Sequence, residues 1–145
     1  MRNDLKILAV AALLFFGVTS WLGRPAEGLY DSPDETANAF WAGRVAAGQP
    51  LAIADPIVGE AGGAVHPRSM AVRGDLLLPG SFPGSFLLFG ALQPVSRLPF
   101  WMMTPLITAL AGLAFYGLLR RLFPEGRTAL FAAALFYLQI GRAHV

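Results

Sequence analysis

Two uncharged apolar runs, residues 7–23 and residues 98–119, constrain this chain of 145 residues more than any other feature. The first is 17 residues long, preceded by Arg2 and Lys6 and holding Trp21 near its far end. The second is 22 residues long, with Trp101 near one end and Arg120 and Arg121 at the other. A hydrocarbon core of about 30 Å needs about 20 apolar residues in a helix, and interfacial tryptophans and flanking cations mark where such a helix ends. Both runs therefore read as membrane spans. A cleaved signal peptide is the competing reading of the first, but Thr19-Ser20-Trp21-Leu22-Gly23 places bulky residues where a cleavage site wants small ones. The basic residues before the first span put the N-terminus on the cytoplasmic side.

Composition supports this reading and removes others. With 55% hydrophobic and only 14% charged residues, the chain is too apolar for a soluble domain of its size. Its eleven basic residues are scattered, with no basic stripe interleaved with aromatics, so nucleic acid is not an expected partner. The absence of cysteine excludes disulfides, thiolate metal sites and a cysteine nucleophile. No phosphate-binding glycine loop and no metal-ligand spacing is present.

The expected organisation follows the chain. Residues 1–23 form the cytoplasmic N-terminus and first transmembrane helix, and residues 24–99 form an extracytoplasmic loop. That loop carries seven acids, Glu27, Asp31, Asp34, Glu35, Asp55, Glu60 and Asp75, against the five arginines 24, 44, 68, 73 and 97. A helix over 33–48 is signalled by Ser32 as N-cap, Pro33 at the first helical position and Glu35 completing a Ser-x-x-Glu box. Gly48-Gln49-Pro50 should end it. Residues 51–58 are too interrupted by proline and aspartate to assign. Met70-Ala71-Val72 and Leu76-Leu77-Leu78 read as two short strands, with Arg73-Gly74-Asp75 as the turn rather than an adhesion motif. Residues 81–96 form an interfacial segment with a short helix over about 85–92, since prolines and glycines argue against a straight span. The second transmembrane helix occupies 100–119, a cytoplasmic turn 120–127, and a third helix starts over 128–139. Residues 140–145, Ile-Gly-Arg-Ala-His-Val, resemble a translated sequencing adapter. Residues from about 139 are thus expected not to be protein-coding, and the chain to be the N-terminal piece of a larger polytopic protein, inactive alone.

One stretch carries chemistry: Asp34-Glu35-Thr36-Ala37-Asn38-Ala39-Phe40-Trp41. A first span, an acidic pair opening a helix with a glycine-containing end, and a long outer loop before the next full span together resemble the N-terminal part of GT-C fold glycosyltransferases. The nearest families are the protein O-mannosyltransferases and the lipid A aminoarabinose transferases. The segments His66-Pro67-Arg68-Ser69 and Pro79-Gly80-Ser81-Phe82-Pro83-Gly84 are loosely similar to bacterial members. The resemblance implies an all-α polytopic membrane fold, truncated here, with juxtamembrane helices and a short hairpin in the first outer loop. It implies transfer of a sugar from a polyprenyl-phosphate carrier to an acceptor at the outer face of a bacterial inner membrane. Asp34 is then the general base and Glu35 its assistant. No resident cofactor is expected; the requirement for a divalent metal and the identity of the acceptor, whether glycan, lipid or protein, stay open.

Local physics has its own account of the pair, because Glu35 in a capping box and Asp34 in a first helical turn both stabilise a helix. The two roles are compatible. From charge and location, Arg68 or Arg73 is expected to approach the carrier phosphate, with His66 as a further candidate; carboxylate and phosphate partners favour guanidinium. Two alternatives stand beside the glycosyltransferase reading. A transporter or lipid-handling protein should carry charge inside its spans, and neither apolar run does. A non-enzymatic envelope binding module should carry a freely soluble loop, and the apolar stretch 76–96 is unlike one.

Overall fold

The computed structural model describes residues 2–26, 30, 32–80, 82–123 and 125–142. Glu27, Asp31, Ser81, Pro124 and the stretch 143–145, including His144, lie outside the described residues. Among the described residues the chain is mostly helical, with six α-helices and a small antiparallel sheet. It divides into two compact units, one formed by residues 1–24 with 101–145 and the other by residues 25–100.

The first unit is a bundle of three helices, α1 (Arg2–Leu22), α5 (Met103–Leu122) and α6 (Gly126–Arg142), each packed on the other two. Two helical stretches, Asp4–Leu22 and Phe100–Leu122, are long and apolar enough to cross a membrane. The second begins with a 3-10 turn, Phe100–Met102, that leads into α5. The interior of the bundle mixes small and large side chains: Ala12, Ala109, Ala129 and Ala133 are buried together with Leu8, Tyr116, Leu119 and Tyr137. Gly112 is the closest point, since a Cβ there would run into the ring of Tyr137. The Tyr137 hydroxyl donates to the Ala109 carbonyl at 2.7 Å, so the same contact that excludes a side chain at Gly112 satisfies a buried polar group. Many other large apolar residues face outward, among them Leu13, Leu14, Trp21, Leu110, Leu118, Phe131 and Leu138. At one end, the Asp4 carboxylate and the Arg120 guanidinium converge on Gly126. A Cβ at Gly126 would lie 3.0 Å from Asp4 Oδ2 and 2.9 Å from Arg120 Nη1.

The second unit packs α2 (Pro33–Ala46) on α4 (Pro83–Ser96) and adds a three-stranded sheet. The sheet goes one strand beyond the hairpin expected from sequence. β1 (Ile53–Ala54) pairs antiparallel with β3 (Leu76–Pro79), whose other edge takes β2 (Met70–Arg73), giving the order β1-β3-β2. The pairing continues past β1, where Asp55 N–H donates to the Asp75 carbonyl at 2.9 Å. Asp55 then caps a single helical turn, α3 (Pro56–Glu60), through its carboxylate to Ile57 N and Val58 N at 2.9 and 3.2 Å. α4 is longer than the expected 85–92. Pro83 falls at its start, where no N–H is needed, and Pro94 falls in its last turn, so neither proline interrupts the middle. The core is Trp41, Ala37, Ala42 and Phe86, flanked by Phe89, Phe100, Ile53 and Met70. Trp41 is 0% exposed. Its indole N–H has no hydrogen-bond partner among the described residues, so it is the ring's volume that fits this position. α4 approaches α2 at Gly90, where a Cβ would lie 2.5 Å from Val45 Cβ and 2.6 Å from the Ala42 carbonyl oxygen.

Candidate functional site

The start of α2 is fixed by local chemistry. The Ser32 hydroxyl accepts from Glu35 N–H at 3.1 Å, and the Thr36 hydroxyl donates back to the Ser32 carbonyl at 3.0 Å. Its end is fixed equally well. Gly48 takes φ +64°, with Gln49 N–H donating to the Arg44 carbonyl at 2.8 Å and Gly48 N–H to the Val45 carbonyl at 3.0 Å, a Schellman closure. Between these caps α2 is anchored by Trp41 and Ala42, and its first turn, carrying Asp34 and Glu35, is left exposed.

The partner of that first turn comes from a loop. Pro67, Arg68, Ser69 and Met70 form a β-turn closed by Met70 N–H to the Pro67 carbonyl at 3.2 Å. Ser69, at its third position, has φ +67°, the sign pattern of a type II turn. The Ser69 hydroxyl donates to Asp34 Oδ1, joining residues 35 apart in sequence. Between the turn and the helix lies an open cleft of about 320 Å³, lined by Tyr30, Ser32, Pro33, Thr36 and Ala37 on one side and by Pro67, Arg68 and Met70 on the other. Tyr30 stacks edge-on against Phe100, with ring centroids 5.9 Å apart. Burial, and secondarily the charge of Glu35, pushes its phenol above the ordinary value of 10.0, so Tyr30 stays a hydrogen-bond donor at neutral pH.

The structure thus sets Asp34 against the turn that carries Arg68, with Glu35 next to it in the same helical turn; Arg68 lines the cleft, and neither carboxylate is among its lining residues. His66 borders the same turn, its Nδ1 3.0 Å from the Pro67 carbonyl, so that Nδ1 carries the proton in this contact. Arg73 is elsewhere: it closes β2 at the hairpin turn, three residues beyond Met70, which is about 10 Å of strand. A larger hollow of about 570 Å³ opens there, lined by Gly59, Gly62, Gly63, Gly74, Val72 and Asp75. It offers mainly backbone and the Asp75 carboxylate, whereas Arg68, a cation able to hold an anion, lines the smaller cleft. Among the described residues no three His, Asp or Glu side chains gather as a metal site would require.

Sequence reasoning did not single out Ser69 or Tyr30. Neither has a local signal, because Ser69 stands where a type II turn favours glycine or asparagine, and the significance of Tyr30 comes from its neighbours. A guanidinium lining an open cleft with hydroxyl groups beside it can hold an anionic group, and the Asp34 carboxylate, held by Ser69 next to that turn, can accept a proton from a weak nucleophile. No known protein family, curated protein or solved structure matches this chain.

Proposed function

We propose that the chain belongs to a polytopic membrane glycosyltransferase of the GT-C type, with residues 25–100 on the extracytoplasmic side of a bacterial inner membrane and Asp34 as general base. The donor is a sugar on a polyprenyl phosphate, and the acceptor is a hydroxyl-bearing molecule at the same membrane face. The observation that carries the reading is the hydrogen bond from Ser69 to Asp34, which sets that carboxylate beside the turn whose Arg68 lines the cleft, Asp34 and Arg68 being separated by 33 residues of chain. The acceptor oxygen attacks the anomeric carbon, and its proton passes to the Asp34 carboxylate. The bond from anomeric carbon to phosphate oxygen breaks, and the oxygen leaves with the electron pair. Arg68 meets the charge that develops on the phosphate, a charge-assisted contact that a guanidinium makes in bidentate form. Glu35 keeps the local field negative and helps hold the Tyr30 phenol protonated. The two apolar helices support membrane residence, and the length of the first outer loop leaves room for the site.

The test uses membranes from cells expressing the protein, supplied with a labelled lipid-linked sugar. Asp34→Asn should reduce kcat by about 10²- to 10⁴-fold, the usual contribution of a positioned base, and Arg68→Ala should raise the donor KM. An Asp34→Asn enzyme that keeps most of its activity would remove Asp34 from the chemistry.

A further inference from the structure

The turn that meets Asp34 holds an unusual residue. Among the described residues, positive φ is taken by Gly48, Gly62, Gly63 and Gly74, and by only two other residues, Ser69 and Arg97. A side chain in this region crowds its own backbone, which is why glycine is favoured there. Ser69 has no escape from it. The Met70↔Pro79 pairing pins the residue that follows, and Gly80 packs so closely that a Cβ on it would lie 2.9 Å from the Ser69 carbonyl oxygen. The backbone therefore requires a left-handed residue, and glycine would fit with less strain. What glycine lacks is the hydroxyl that donates to Asp34 Oδ1.

We propose that Ser69 is a positioning residue for the Asp34 carboxylate, its backbone held left-handed so that its hydroxyl engages Oδ1 and leaves Oδ2 to take the acceptor's proton. This rests on the reading of Asp34 as the base. Strain kept at a functional site by well-packed surroundings is the general pattern it follows. The Ser69 proton stays on Ser69 throughout; the residue acts only by fixing the carboxylate.

Three variants of the protein separate this role from a structural one. Ser69→Gly should raise the melting temperature, because the strain goes, yet lower kcat by about 10- to 100-fold through misplacement of the carboxylate, with donor KM changed less than about twofold. Ser69→Thr, which keeps the hydroxyl and adds a branched Cβ, should melt lower and retain more kcat than Ser69→Gly. Adding Ser69→Gly to Asp34→Asn should cost nothing further. A purely structural residue would make stability and activity move together. If Ser69→Gly is fully active while Asp34→Asn is dead, this inference alone fails. If Asp34→Asn is active, the base assignment fails and takes this inference with it.

Discussion

The two compact units of this chain differ in what they leave exposed. In residues 25–100 the core is built on large residues: Trp41 and Phe86 are buried, with Phe89 and Phe100 against them, while Asp34, Glu35, Arg68 and Arg73 face outward beside fewer large apolar groups, among them Phe82 and Ile57. In the bundle of α1, α5 and α6 alanines share the interior with Leu8, Tyr116, Leu119 and Tyr137, while many further leucines, with Trp21 and Phe131, point away. Water explains the first arrangement, since the hydrophobic effect draws large apolar groups inward. It cannot explain the second. Where the surroundings are themselves apolar, that sorting force vanishes; close backbone approach and interhelical hydrogen bonds hold helices together, as between Gly112, Tyr137 and Ala109. The contrast teaches that two units with apolar cores can differ in their surfaces, and a largely apolar surface on helices long enough to cross a membrane is what a lipid-facing bundle would show.

That comparison is broken most forcefully by placing one charge on each surface. Leu13 and Val65 are similarly exposed, at 70% and 61%. Leu13→Lys lies near the middle of α1 and should oppose membrane integration by about 2.5–3.5 kcal/mol, read as loss of the chain from carbonate-extracted membranes. Val65→Lys should change nothing measurable. Equal tolerance of both would mean that the two units share a solvent.

A smaller effect sharpens the packing side. Gly90→Ala brings a Cβ against the Ala42 carbonyl, a backbone atom that cannot step aside, and should cost about 1–3 kcal/mol. Hydrogen exchange on the full chain in detergent should show this as lost protection in α2 and α4, with α1 and α6 unchanged. Protection lost equally in all helices would show that the two units do not open separately.

The smallest effect concerns pH. The Tyr30 phenol sits above its ordinary value of 10.0 through burial first and the charge of Glu35 second. A raised value means the folded state holds its proton more tightly than the unfolded chain. The stabilisation is therefore complete below pH 10 and is lost as pH rises through the folded value. Near-ultraviolet circular dichroism should record a loss of structure above about pH 10 that Tyr30→Phe makes shallower. An unchanged profile in Tyr30→Phe would detach the phenol from the fold.

How much of this could be read from sequence depends on how local each signal was. Ser32, Pro33 and Glu35 announced α2, and Gly48 announced its end, because caps are made by residues within one turn of each other. The apolar runs announced α1 and α5 through length alone. β1 escaped notice because Ile53 and Ala54 are strand only by pairing with Leu77 and Leu76, over 20 residues away. α4 was foreshortened because prolines were weighed without their positions: Pro83 and Pro94 sit at the two ends, where they do little harm. Asp34 and Arg68 could be nominated separately from charge and location. Their convergence could not, since it depends on a turn whose third residue, Ser69, breaks the residue preference that would have revealed it.

The most direct measurement of the account is the sidedness of residues 25–100 relative to the bundle's charged end. The chain has no cysteine, so single cysteines at Val65 and Arg127, both exposed, can be read without background. In intact spheroplasts a membrane-impermeant maleimide should label Val65→Cys at once and Arg127→Cys only after the membrane is opened. Labelling of Arg127→Cys from outside, with Val65→Cys protected, would place the Asp34 cleft in the cytoplasm and contradict an extracytoplasmic transfer reaction.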